Sequence, residues 1–256
     1  IFIMNPDGSG RINLTQNDHH DVLPHISPDG TKIAYYCLEE QGIKSMNLDG
    51  NDKTLVLKSN NLINCPRWSP DGEMIVYMGF NEDLSSSNIF ILDLYTGGIS
   101  QVTDSNYYCC LPEWSPDGQK VAFVANPKGQ FELVILDLAS GNQKSIVTLT
   151  EYINDIEPLS FSWSPDGEKI AFAKEFGGVF DVCVIDLNGE NLINLTKSKE
   201  YHDYAPTWSS SGVEIAFVSI RDDKDDIYII NLDGSGIKKI TNFEGDNRYP
   251  KWFSVK

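Results

Sequence analysis

One block, Trp68-Ser69-Pro70-Asp71-Gly72 followed by Ile75-Val76-Tyr77, returns along the chain and limits its fold more than any other feature. It recurs at 114–118 before Val121-Ala122-Phe123 and at 163–167 before Ile170-Ala171-Phe172. Weaker copies stand at 26–30 before Ile33-Ala34-Tyr35, and at 208–212 before Ile215-Ala216-Phe217, where Ser210 and Ser211 replace Pro and Asp. A sixth begins at Trp252-Phe253-Ser254. The anchors Ser27, Ser69, Ser115, Ser164, Ser209 and Ser254 are 42, 46, 49, 45 and 45 residues apart, the period of a four-stranded propeller blade. A helical solenoid of similar period does not fit, because the segments are short, rich in Ile, Val, Phe and Tyr, and divided by Gly, Pro, Asp and Asn.

Each unit reads as four strands. The first ends on the Trp and runs into Ser-Pro-Asp-Gly, a tight hairpin turn in which Pro presets φ and Gly accepts a positive one. The second opens on charge and becomes apolar, as in 120–125. The third alternates, as in Ile89 and Ile91, and leads to Asp-Gly turns such as Asn47-Leu48-Asp49-Gly50. The fourth is an edge typified by Ile193-Asn194-Leu195-Thr196.

The chain supplies six first, five second, six third and six fourth segments. This predicts an all-β fold: one domain over 1–256, a six-bladed β-propeller of four-stranded antiparallel blades. Five blades are anchored at Ser27, Ser69, Ser115, Ser164 and Ser209, and the closing blade combines residues 1–15 with 246–256. That blade either has three strands or draws its fourth from outside 1–256.

Net charge is −17, so nucleic acid and anionic membrane surfaces are poor partners and a basic protein surface or a cation suits better. No apolar run approaches 18 residues, which excludes a transmembrane helix and membrane insertion by one. Five cysteines (37, 65, 109, 110, 183) are an odd number with no CxxC pair, so neither a disulfide framework nor a zinc ribbon is indicated.

Leu195-Thr196, Asp203, Pro206-Thr207-Trp208, Ile215-Ala216-Phe217 and Ile227-Tyr228 through Asn231-Leu232-Asp233-Gly234 together resemble the TolB-type six-bladed β-propeller. The resemblance covers the whole chain in five near-complete copies. It implies a propeller without the smaller N-terminal α/β domain that TolB carries. It also implies a bacterial protein, periplasmic or extracellular, serving as an interaction platform.

Chemistry is sought where the copies disagree, five residues before each Trp. His20-Asp21 and His202-Asp203 occupy equivalent places there, and the closing blade offers Asp246-Asn247. Ile63, Cys109 and Pro158 fill the same position in the other units. In a closed ring the three polar pairs would be neighbours at the channel mouth.

Two readings follow. In the first, a non-catalytic, monomeric propeller binds another protein or peptide through Asp21, Asp203, Asp246, Asn247, Tyr108 and Tyr204, since clustered tyrosines beside acids suit an interface. In the second, His20, Asp21, His202 and Asp203 hold a divalent metal for a carbohydrate lyase or hydrolase, imidazole and carboxylate being suitable ligands. No catalytic residue and no resident cofactor are assigned. A divalent cation, calcium or another, is the one cofactor for which ligands are available, although Arg221-Asp222-Asp223-Lys224-Asp225-Asp226 lacks the Gly and terminal Glu of an EF-hand. The chain has no Gly-x-Ser-x-Gly elbow, so peptidase chemistry would require it to be the propeller half of a serine peptidase.

Overall fold

The computed structural model describes residues 1–3, 10–150, 159–241, 250 and 252. The expectation of six blades is corrected: among the described residues there are five four-stranded antiparallel sheets and one two-stranded ribbon. The first sheet comprises Asp21–Ile26, Lys32–Cys37, Gly42–Asn47 and Thr54–Lys58; the second, Ile63–Trp68, Met74–Phe80, Ser87–Asp93 and Ile99–Gln101. The third comprises Cys109–Trp114, Lys120–Ala125, Phe131–Asp137 and Gln143–Thr150. The fourth is Phe161–Trp163, Lys169–Phe176, Val179–Asp186 and Ile193–Asn194, and the fifth His202–Trp208, Glu214–Arg221, Lys224–Asn231 and Lys238–Lys239. In each, successive strands are neighbours, as the repeat predicts.

Among the described residues the remaining unit contributes Phe2–Ile3 paired with Ile12–Asn13. These are the third and fourth segments of the repeat, paired with each other. Of the expected 246–256 contribution to a closing blade, all but Pro250 and Trp252 lie outside the described residues, and neither of those two is in a strand.

The chain parts into two compact units. One takes in Ile1–Pro127 with Ile135–Gln143, the other Lys128–Val134 with Lys144–Val255. In the first unit, Ala34, Tyr36 and Ile43 of the first sheet share a buried cluster with Ile63, Trp68, Ile75, Tyr77 and Leu92 of the second. A second cluster joins Leu14, beside the ribbon, to Ile33, Tyr35, Cys37 and Met46. In the second unit, Ala171, Val182, Val184 and Leu195 pack on Trp208, Ile215, Phe217, Tyr228 and Ile230. The apolar second strands are thus covered on both faces, which is why they show no alternation. No helix is long and apolar enough to cross a membrane among the described residues.

The Ser-Pro-Asp-Gly turn is held by its serine as much as by its glycine. Ser69 Oγ donates to Asp71 Oδ1 at 2.5 Å and accepts from Met74 N at 2.9 Å, while Gly72 N donates to Ser69 O at 2.9 Å. Glu73 N donates to the same carboxylate oxygen at 3.0 Å. The network repeats at Ser27, Ser115 and Ser164. These hydrogen bonds, the Ser27 hydroxyl first among them, hold Asp29 down at about 2. Gly72 sits at φ 77°, a conformation costly for any residue with a Cβ, and Pro28 of the preceding turn lies 3.5 Å from where that Cβ would be. Neighbouring turns therefore stack Pro against Gly, again at Pro70–Gly118 and Pro165–Gly212. Ser69→Ala removes a hub and leaves Met74 N–H unpaired, and should cost about 1–2 kcal/mol in urea unfolding. Ser210→Ala, outside the network and exposed, should change little.

Candidate functional site

In four of the five described sheets the first strand carries a bulge that the sequence reading did not foresee. Leu23, Cys65, Leu111 and Ala205 take φ of 54°, 54°, 52° and 50°. Each precedes a proline (Pro24, Pro66, Pro112, Pro206), and each falls where the pairing of first and second strands slips by one residue. Bulges of this kind bend a strand and re-aim its side chains. The fourth sheet has Ser160-Phe161 instead of a residue-proline pair, and its first strand pairs without a slip.

Two residues before the bulge stand Asp21, Ile63, Cys109 and Asp203. Ile63 and Cys109 are core residues there. Asp203 takes the same place in the second unit at 1% exposure, a carboxylate as deeply buried as Ile63 and Cys109. Its Oδ1 is buried and makes no hydrogen bond. Burial pushes Asp203 up to about 6, opposed by the Ser219 and Thr196 hydroxyls and by Arg221, with Asp181 adding to the rise.

A pocket of about 240 Å³ opens beside it, lined by Thr196, Lys199, Tyr201, Asp203, Arg221 and Ile237 among others. The Arg221 guanidinium carbon lies 4.6 Å from the Tyr201 ring centroid and 4.2 Å from that of Tyr228, cation–π range for both. Its Nε donates to Ser219 Oγ at 3.1 Å. Stacking and this hydrogen bond fix a planar donor fork, a geometry suited to a carboxylate.

Asp181 and Asp226, by contrast, are scaffold. Asp181 accepts from Asn194 Nδ2 at 2.7 Å, Thr196 Oγ1 at 3.1 Å and Ser198 N at 2.7 Å. Asp226 accepts from Thr241 Oγ1 at 2.7 Å and from Lys239. The Asp-rich stretch 221–226 is a tight hairpin, Asp222 and Asp223 forming the turn at φ 52° and 57°, with Asp225 and Asp226 buried in the strand that follows.

In the first unit, Asp21 is the cross-strand partner of Cys37. Its Oδ2 accepts from Asn17 Nδ2 at 3.0 Å, while Oδ1 is buried without a hydrogen bond. His20 does not join it: its ring nitrogen lies 2.7 Å from Glu39 Oε1, and its N–H donates to Glu39 Oε2 at 2.8 Å. His19, passed over in the sequence, is the histidine beside Asp21, with Nδ1 3.5 Å from Cys37 Sγ. His25 accepts from Trp68 N at 3.2 Å.

The other expected residues are distributed as follows. Asp21 belongs to the first unit and Asp203 to the second. The His202 ring lies 6.1 Å from that of Phe180. Tyr204, read as a binding residue, is 4% exposed and presents no surface, because the bulge turns it into the sheet packing. Tyr108 is exposed, its hydroxyl donating to Leu84 O at 2.9 Å. Asp246 and Asn247 lie outside the described residues. The sequence reading missed Arg221, His19 and Cys37. Arg221 carries a signal in being a cation at the end of an otherwise apolar second strand.

Four-stranded antiparallel sheets strung on a repeated Trp-anchored turn, with polar residues at bulged strand ends, define a β-propeller protein. The family model described as TolB beta propeller domain matches residues 38–201, more than half of the chain, and the chain belongs to this family. It is 30% identical over 140 residues to a protein TolB homolog of Chlorobium luteolum, covering 54% of this chain and 31% of that one. It is 37% identical over 79 residues to the Tol-Pal system protein TolB of Hahella chejuensis, covering 28% of this chain and 18% of the relative. The matched stretches thus span a third or less of these relatives. A provisionally assigned TolB from Agrobacterium tumefaciens superimposes with a TM-score of 0.78 at 23% identity, over 94% of this chain and 87% of that one, a likeness of fold.

Proposed function

We propose that this chain is a non-catalytic, TolB-like interaction scaffold that binds another protein or peptide, with the pocket beside Asp203 as a principal contact. The observation that carries the reading is Asp203 itself: a carboxylate set in a core position, with one oxygen unpaired, next to an arginine fixed between two tyrosines. Buried unpaired oxygens destabilise a fold, and a ligand donor is what would relieve this one. Arginine and tyrosine are also the residues most enriched among those that dominate binding energy. The Hahella relative is a Tol-Pal system protein by name, which supports a protein partner here. A net charge of −17 favours a basic surface on that partner around the pocket. By the same resemblance the site of action is periplasmic or extracellular. Asp21 and Tyr108 of the first unit belong to the same proposal as secondary contacts.

The test begins with a photo-crosslinking residue in place of the exposed Tyr201, used in living cells to trap and identify the partner. Isothermal titration of the purified partner then compares wild type with Arg221→Ala, for which the dissociation constant should rise at least tenfold. An unchanged constant would remove the pocket from the interface.

A further inference from the structure

We propose that His19, Asp21 and Cys37 form a binding site for a single zinc-like divalent ion in the first unit. Their ligand atoms all lie within 4.8 Å of one another. The Cys37 Sγ to His19 Nδ1 separation is 3.5 Å. A thiolate and an imidazole bound to one tetrahedral zinc, at about 2.3 Å and about 2.05 Å, stand about 3.5 Å apart. The thiol and the imidazole are therefore spaced for one ion, with the Asp21 carboxylate close by as a third ligand.

Backbone pairing produces this convergence. The bulge at Leu23 shifts the register so that Asp21 faces Cys37. The bend at 17–19 that leads into the strand sets His19 beside Asp21, while His20 turns to Glu39. Two further groups point to a missing partner. Asp21 Oδ1 is buried with no hydrogen bond, and so is the hydroxyl of Tyr35, two residues before Cys37. Tyr35 is fully buried and packs in the same cluster as Cys37. Asn17 donates to Asp21 Oδ2 and orients the carboxylate, as outer-sphere groups do in metal centres.

The chemistry of the set selects the ion. A thiolate and an imidazole favour zinc or cobalt over calcium and magnesium, which take oxygen ligands. On binding, Cys37 releases its thiol proton to solvent, so that one thiolate and one carboxylate balance the two positive charges; neutral His19 adds none. Glu40, whose Oε1 is 3.9 Å from His19 Nδ1, is already engaged by Lys44, which leaves the fourth position to water.

Cobalt(II) titration of the chelator-stripped protein reads the site directly. Expected are one equivalent bound, a near-ultraviolet thiolate-to-cobalt band, and displacement by zinc. Cys37→Ser should abolish the band. His19→Ala, at a more exposed position, should fold normally by circular dichroism and weaken binding at least tenfold, which decides the matter should Cys37→Ser fail to fold. Zinc should raise the melting temperature of wild type and not of His19→Ala. Absence of binding, or a band that survives Cys37→Ser, would overturn the site, leaving Cys37 and His19 a hydrogen-bonded pair.

Discussion

Asp203→Asn is expected to stabilise the protein at pH 7 by up to about 3 kcal/mol and to flatten its stability between pH 4 and 6. Burial raises the folded-state value from 3.8 to about 6. Between those values the folded chain holds a proton that the unfolded chain has lost, so wild-type stability falls as pH rises through this window and levels off above it. A rise of about two units corresponds to about 3 kcal/mol at 1.36 kcal/mol per unit. Asn cannot ionise, so its variant should lack the slope. The turn aspartates act in the opposite sense: Asp29, Asp71, Asp117 and Asp166 are held below the ordinary value by Ser hydroxyls and backbone N–H groups. Their contribution is present above about pH 4 and is lost as pH falls further, so acid unfolding remains in the variant. Urea midpoints taken from pH 4 to 8 separate the two effects. A variant no more stable than wild type at pH 7, with the same slope, would mean that Asp203 is already satisfied in the folded state.

Phe217→Ala should cost about 3–5 kcal/mol, the range for deleting a fully buried aromatic ring. Phe217 is 0% exposed, and its ring lies 5.9 Å from that of its cross-strand partner Tyr228. It belongs to the cluster that joins the fourth and fifth sheets through Val182, Val184 and Trp208, so the cavity opens where two sheets meet. Val213→Ala, at 59% exposure, is the matched control and should stay within about 0.5 kcal/mol of wild type in the same denaturation series. Equal effects at the two positions would mean that this packing does not hold the sheets together.

The Ser-Pro-Asp-Gly turns and the apolar second strands were legible in the sequence because turn chemistry and period are local. The sixth blade was not borne out: its unit is a two-stranded ribbon among the described residues, and a count of segments does not say whether they pair into a sheet. The site was legible in part. Asp203 announced itself as a carboxylate where Ile63 and Cys109 stand in other units. His19 and Cys37 did not, for a definable reason. Pairing counted back from the 27–32 turn without a bulge sets Asp21 opposite Leu38; the positive φ at Leu23 shifts it to Cys37 and reverses which face is shared. The cue was present four times as a residue before proline in a first strand, at Leu23, Cys65, Leu111 and Ala205, but proline there reads equally as an edge or an end. Arg221 was read as part of a charged loop, whereas the strand continues through it and stacks it on Tyr201 and Tyr228.

The most direct test of an interaction scaffold is photo-crosslinking from position 201 in cells, compared with crosslinking from the exposed Tyr95 in an outer turn of the second sheet. One specific protein adduct from 201, absent from 95 and lost when Arg221→Ala is added, is the predicted result. No adduct at 201, or the same adducts from both positions irrespective of Arg221, would contradict it.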